Sequence, residues 1–318
     1  MISPRAGALT PWRDRRAAEE GSLSVPSPKR DLVLGAHMSI AGGLHRAIER
    51  GEKLRCTALQ IFTRNNVQWK AKALTDEAVA RFREAWEASG IGPIVAHASY
   101  LIGLASSNER VRRLSVDGLI VEFERAAALG VPWVVLHPGC HTGQGEEAGL
   151  RQVAQLATRA LEATSELDVG LLLETTAGQG TCVGYSFENL ARLLDTIEPG
   201  ERLGVCFDTC HVFAAGYDLR TASAYKATMA EFDRVVGLER IGAVHVNDAK
   251  LGLGSRRDRH AHIGKGELGR EAFRLLMRDQ RFAAVPKLLE TPKEDATRKD
   301  WDRVNLGTLR RLAKRSRA

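Results

Sequence analysis

Asp208 and His211 stand three residues apart, directly after the short apolar run Leu203–Phe207. A buried strand that ends by delivering a carboxylate and an imidazole is poor packing chemistry. It suits a divalent cation such as zinc or manganese, which takes both ligand types. The same event recurs along the chain. Short apolar runs are followed by His37, His97, His137, Glu174, His245 and Glu290, so seven of eight candidate strands end in a metal-ligating residue type. Placing so many ionisable groups on one buried rim without a cation would be very costly. A polynuclear metal centre is the economical reading. Asp258 and His260 add a further pair, two residues apart, whose side chains share a side in extended chain. Asp248 reads as a tether of the same loop rather than a ligand, and His45, His141 and His262 have no assigned role.

The elements that must position these residues are readable in outline. The apolar runs are Leu32–Ala36, Ala58–Phe62, Pro93–Ala96, Trp133–Leu136, Gly170–Leu173, Leu203–Phe207, Ile241–Val246 and Pro286–Leu289. Amphipathic stretches alternate with them, among them Thr75–Ser89, Asn108–Leu129, Glu146–Glu166 and Ala222–Gly237. Eight strands alternating with helices predict parallel βαβ units closed into a single-domain α/β (β/α)8 TIM barrel. In such a barrel all strand C-termini open on one face, where the chemistry is done.

Composition narrows the function classes. The chain has 318 residues, a net charge of +7 and 44% hydrophobic residues. The charge is concentrated at the ends: six Lys/Arg against three acids in residues 1–30, and five against none in 308–318. The body is close to neutral, and its dense basic cluster is the loop carrying Arg256, Arg257 and Arg259. No apolar stretch reaches the roughly 18 residues of a membrane span, and residues 1–30 lack the apolar core of a secretory signal. We read 1–30 as a disordered extension, 31–307 as the barrel and 308–318 as a basic tail. The five cysteines have no scaffold spacing and are expected as reduced thiols in a cytoplasmic protein, with Cys206 and Cys210 acting as small buried hydrophobes. No Gly-rich stretch matches a nucleotide-binding fingerprint.

The motifs together resemble the endonuclease IV family of DNA-repair enzymes. The stretches that carry the resemblance are GAHMSIAGG (35–43), LQIFTRN (59–65), HASYLIGLAS (97–106), LHPG (136–139) and LLLET (171–175). They continue with GVCFDTCHVFAAGYD (204–218), HVNDAK (245–250), SRRDRHAHIGKG (255–266) and LLET (288–291). The resemblance implies a TIM barrel with three zinc ions, manganese replacing zinc at some sites. His97, His137 and Glu174 would hold one ion. Glu174, bridging, would join Asp208, His245 and Glu290 around a second, and His211, Asp258 and His260 would hold the third. It implies hydrolysis of the phosphodiester bond 5′ to an abasic site in double-stranded DNA, leaving a 3′-hydroxyl, and clearing of blocked 3′ ends. Glu290 and Glu174 would be the catalytic carboxylates. Tyr100 and Leu101 match the family's DNA wedge, and Arg256, Arg257 and Arg259 would meet phosphates. Where some members place an Arg, this chain has Val67. A monomer is expected. Two other classes compete: a metal-dependent sugar isomerase or epimerase on a similar barrel, and a non-catalytic DNA-binding module. The set His211, Asp258 and His260 argues against the isomerase, and a full ligand set argues against the module.

Overall fold

A computed structural model describes residues 32–293 and 300–314; the N-terminal extension expected for residues 1–30 lies outside them. Eight parallel strands close a barrel: β1 (Leu34–Met38), β2 (Ala58–Phe62), β3 (Ile94–His97), β4 (Trp133–Leu136), β5 (Gly170–Glu174), β6 (Leu203–Asp208), β7 (Ile241–His245) and β10 (Lys287–Leu289). Between β7 and β10 a small antiparallel hairpin, β8 (Asp248–Ala249) with β9 (His260–Ala261), stands on the rim. β1 pairs with both β2 and β10, so no barrel edge is left open. The strands sit within two residues of the eight apolar runs, and no helix among the described residues is long and apolar enough to cross a membrane.

Local chemistry accounts for the helix boundaries. α2 (Asp76–Ser89) starts at Thr75, whose hydroxyl accepts from the Ala78 amide, and stops at Gly90 in the left-handed region, φ 66°. α3 (Glu109–Leu129) is capped by Asn108 and ends at Gly130, φ 78°. The helices α1 (His45–Lys53), α4 (Glu146–Glu162), α5 (Phe187–Thr196), α7 (Ala222–Val235) and α8 (Gly269–Arg278) complete the outer ring with α9 (Trp301–Ala313). A short α6 (Thr209–Ala215) follows β6 directly. The expected barrel limit at 307 needs correction. α9 carries Thr308 and Leu309 into the core, so residues 308–313 belong to the last barrel helix, and residues 315–318 lie outside the described chain.

Two apolar layers hold the barrel. The larger joins the outward strand faces to the helices. The smaller fills the interior with Ala58, Val95, Val135, Leu172, Cys206, Ala243 and Leu288, one residue from each strand but β1. Gly35 takes the β1 position, because a Cβ there would collide with the Ala58 carbonyl. Strand side chains alternate with period two. The next inward position above that plug is therefore His37, Gln60, His97, His137, Glu174, Asp208, His245 and Glu290 in turn. The candidate ligand layer is one pleat above an apolar floor.

Candidate metal centre

Glu174 is the hub. It is fully buried at the end of β5, with four imidazoles around its carboxylate. Oε2 lies 3.2 Å from His97 Nε2 and 3.0 Å from His137 Nε2; Oε1 lies 2.9 Å from His245 Nδ1 and 3.2 Å from His211 Nδ1. One carboxylate thus faces two separate pairs of rings. Burial opposes its charge, yet His137 and His245 beside it hold the carboxyl well below the ordinary range.

Asp208 shows how a local helix start builds the site. Its Oδ1 caps α6 by accepting from the His211 amide at 2.8 Å, which carries the His211 ring over the rim. Its Oδ2 accepts from Asn247 Nδ2 at 2.6 Å and lies 3.7 Å from His260 Nε2. Asn247 in turn accepts from the Glu290 amide at 2.9 Å, so β7 orders β10. Asp258 Oδ1 is 3.2 Å from His211 Nε2 and 3.3 Å from His260 Nε2. Burial would raise the Asp258 carboxyl, but the His211 hydrogen bond and charge bring it down to about 2. Asp248 tethers the loop: it accepts from the amides of Ala249, Gly264, Gly266 and Leu268.

Donor atoms lie within 4.8 Å of one another in three sets: His97, His137 and Glu174; Glu174, Asp208, His245 and Glu290; and His211, Asp258 and His260. A fourth combination pairs Asp208 and His260 with Cys210. Burial pushes the Cys210 thiol up to about 12, and its Sγ donates to the Arg259 carbonyl, so it is a poor thiolate donor.

Three of the five candidate ring ligands fit cations on a proton count. His97 Nδ1 donates to the Ala98 carbonyl at 2.7 Å, His211 Nδ1 to the Thr175 carbonyl at 2.9 Å, and His245 Nε2 to Gln60 Oε1 at 2.8 Å. Each ring's other nitrogen is aimed at a carboxylate or another imidazole; His211 Nε2 and His260 Nε2 are 3.4 Å apart. Lone pairs facing lone pairs repel unless positive charge sits between them. With protons in that place, burial opposes the charge, yet Asp208, Asp258 and Glu174 push His211, and Cys206, Glu290 and Glu174 push His245, well above the ordinary imidazole value.

Two elements of the rim were not visible as site residues in the sequence. Gln60, fully buried, touches three members of the layer; its signal was its phase, two residues after the interior Ala58. Glu122, on α3, was hidden because its partners are distant in sequence. It accepts from Thr63 Oγ1 at 2.6 Å, Arg64 Nε at 2.8 Å and the Ser99 amide at 3.2 Å. Arg64 Nη1 then donates to the Gln68 and Trp69 carbonyls, and Ser99 Oγ to the Asn66 carbonyl. This network seats the loops that expose Val67 (67%) and Tyr100 (62%). Leu101 is half-buried. Tyr100 packs at ring-centroid distances of 5.5 Å from both His97 and Phe62. Arg256, Arg257 and Arg259 are all exposed on the opposite loop, and Arg256 lays its guanidinium on the Tyr185 ring at 4.0 Å. An open cleft of about 390 Å³ lies between these loops, lined by Tyr100, His137, Asp258, Arg259, His260 and Glu290.

The cysteine expectation is corrected in part. Cys140 and Cys182 form a disulfide between the loops after β4 and β5, which approach through an isolated antiparallel bridge. A separation of 42 residues carries no local spacing signal. Cys56, Cys206 and Cys210 are free and buried, as small apolar residues should be. His141 and His262 stand apart from the cluster, the first accepting from the Gly145 amide and the second stacked on Trp301.

The family described as "Xylose isomerase-like TIM barrel" matches residues 48–312. Among curated relatives, the "Probable endonuclease 4" of Geobacter sulfurreducens is 50% identical over 282 residues, covering 89% of this chain and 95% of that protein. That of Chloroflexus aggregans is 52% identical over 281 residues, covering 88% and 97%. The crystal structure of endonuclease IV from Thermus thermophilus superposes with a TM-score of 0.77 at 38% identity, covering 88% of this chain and 98% of that one. A D-tagatose 3-epimerase-like protein reaches a TM-score of 0.66 at 20% identity, over 88% and 96% of the two chains, a likeness of fold alone. With about half of its residues identical to the two curated relatives over nearly their full length, the chain belongs to the endonuclease IV family of nucleases, on the xylose isomerase-like TIM barrel.

Proposed function

We propose that the chain is a DNA-repair phosphodiesterase that cuts the duplex 5′ to an abasic site, leaves a 3′-hydroxyl, and clears blocked 3′ ends. The observation that carries the reading is the proton count above: ring nitrogens with their lone pairs turned inward on buried carboxylates. His97, His137 and Glu174 would hold one cation, Glu174 with Asp208, His245 and Glu290 a second, and His211, Asp258 and His260 a third. Zinc suits this nitrogen-rich set, with manganese tolerated at the carboxylate-rich position. Bound there, such cations lower the pKa of water toward 7 and neutralise charge growing on a phosphoryl group.

The chain's own residues supply position and selectivity. Glu174 carries both pairs of rings on one side chain. Glu290, at the cleft wall with Oε2 3.1 Å from His245 Nδ1, would hold a cation through that oxygen and orient the attacking water. Tyr100, with Leu101 behind it, enters the duplex where a base is missing and unstacking is cheap. Val67, exposed on the neighbouring loop, adds an apolar contact. Arg257 and Arg259 meet phosphates across the cleft, with Arg256 bracing their loop against Tyr185. The third residue set, His211, Asp258 and His260, favours this reading over a sugar epimerase, which needs fewer cations.

The test combines metal counting with cleavage. Native mass spectrometry should find about three divalent ions per chain, and a duplex with one abasic site should be nicked on its 5′ side. Glu290→Gln should lower turnover by about 10²–10³ while abasic-duplex binding survives. One ion per active chain would refute the trinuclear assignment, and near-parental turnover in a fully loaded Glu290→Gln would refute the role of Glu290.

A further inference from the structure

The ring of inward residues above the barrel floor has eight members, and seven are titratable. The eighth is Gln60, on β2. It is neutral, fully buried, and bonded to residues of three other strands. Its Nε2 donates to Glu290 Oε1 at 2.6 Å and to His37 Nδ1 at 3.0 Å, while its Oε1 accepts from His245 Nε2 at 2.8 Å. One amide therefore ties β1, β7 and β10 together at the level of the candidate centre.

The orientation of the amide follows from its partners. Turned over, it would set its oxygen 2.6 Å from the Glu290 carboxylate and its nitrogen against His245, a clash of acceptors that ionised Glu290 forbids. In the observed sense Gln60 Oε1 can only accept. His245 must then carry its proton on Nε2, leaving Nδ1 bare toward Glu174 Oε1 at 2.9 Å and Glu290 Oε2 at 3.1 Å. The same amide occupies Glu290 Oε1, so that carboxylate has Oε2 to offer on the inner side. His37 is left neutral, its Nδ1 accepting the second amide proton. Neither a carboxylate nor an aliphatic side chain at position 60 could do all three: a carboxylate has no proton for Glu290, and an aliphatic group has no polar atom.

We propose that Gln60 is a positioning residue of the metal centre, which selects the His245 tautomer and leaves one Glu290 oxygen for the cation. The proposal rests on the metal-centre reading and extends it beyond the nine ligand candidates. Partners of this kind govern ligand basicity and orientation, and their loss costs about 10–100-fold in metal affinity or activity.

The test uses the zinc-loaded full chain with Gln60→Met and Gln60→Leu, both close in volume to glutamine. Lys287→Met serves as a fold control; it alters a buried group at the first residue of β10, whose Nζ donates to the Phe282 and Val285 carbonyls rather than to the ring of inward residues. Zinc release to a chelating dye is timed without DNA, metal content is measured before and after, and thermal unfolding of the metal-free forms is recorded. Both Gln60 variants should release zinc about 10–100-fold faster than the parent, with metal-free unfolding temperatures close to the parent's. Reloaded, they should show a lower kcat on abasic duplex with KM unchanged. Lys287→Met should release zinc at the parental rate whatever its stability. Parental release rates in both folded Gln60 variants would overturn the proposal, as would equally fast release from Lys287→Met, which would trace the loss to general stability. A parent that holds no zinc would overturn the metal-centre reading itself, and this inference with it.

Discussion

Removing the Glu122 carboxylate should be among the most damaging single changes outside the metal centre. Arg64 and Glu122 are paired at 2.8 Å with side chains 2% and 1% exposed. Glu122→Leu would leave the guanidinium buried without its counter-charge and strip the Thr63 hydroxyl and Ser99 amide of their acceptor. Breaking a buried pair from one side costs about 3–5 kcal/mol. For a domain of this size that lowers the melting temperature by on the order of 10 °C. Arg64→Met should cost a similar amount, because it strands the carboxylate. The double variant removes both charges and should be less damaging than the sum of the two by about 2 kcal/mol. Urea denaturation of the four proteins of the cycle measures this directly. Hydrogen exchange should meanwhile rise in residues 64–70 and 99–103, the loops this carboxylate seats, more than in the far rim. Single-variant costs that add to within about 0.5 kcal/mol would refute the coupling. A protected 99–103 loop in Glu122→Leu would refute the claim that the pair seats Tyr100.

Two further expectations concern binding and pH. Tyr100→Ala should weaken an abasic duplex about tenfold at unchanged salt slope, whereas Arg257→Ala should lower the slope of log affinity against log salt by about one unit and weaken intact and abasic duplexes alike; a salt titration on matched duplexes decides, and equal effects of Tyr100→Ala on both would make it a loop-packing residue. Burial drives the Lys287 ammonium down to about 8 from its usual 10.5; between those values the unfolded chain binds more protons, so stability attributable to this group rises with pH across that window and its cost is complete below about 8, a swing of roughly 3 kcal/mol. The parent-minus-Lys287→Met difference in unfolding free energy, measured at pH 7.5 and 10, should shift by about 2 kcal/mol, and a flat difference would remove Lys287 as its source.

Sequence by itself determined the strands and the chemical character of the rim. Apolar runs ending in His, Asp or Glu are a local signal, since period-two alternation puts each such residue one pleat above the interior plug. His97, His137, Glu174, Asp208, His245 and Glu290 are legible as rim residues on that ground alone. Asp208 capping α6 is local for the same reason: three residues separate the carboxylate from the amide it accepts. What the tertiary structure decided depends on groups far apart in the chain. Gln60 meets Glu290 across 230 residues and His245 across 185, and only that closure says which imidazole nitrogen is bare. Glu122 reaches back 58 residues to Arg64, and Cys140 finds Cys182 over 42. Arg256 reads as one of three equivalent cations until the β7 loop folds over Tyr185. The basic residues of 308–313 look like tail in the sequence, while Thr308 and Leu309 turn inward only once α9 packs on the barrel. Residue type announces what chemistry is available; the closed barrel fixes hydrogen-bond partners, and with them the direction in which each lone pair points.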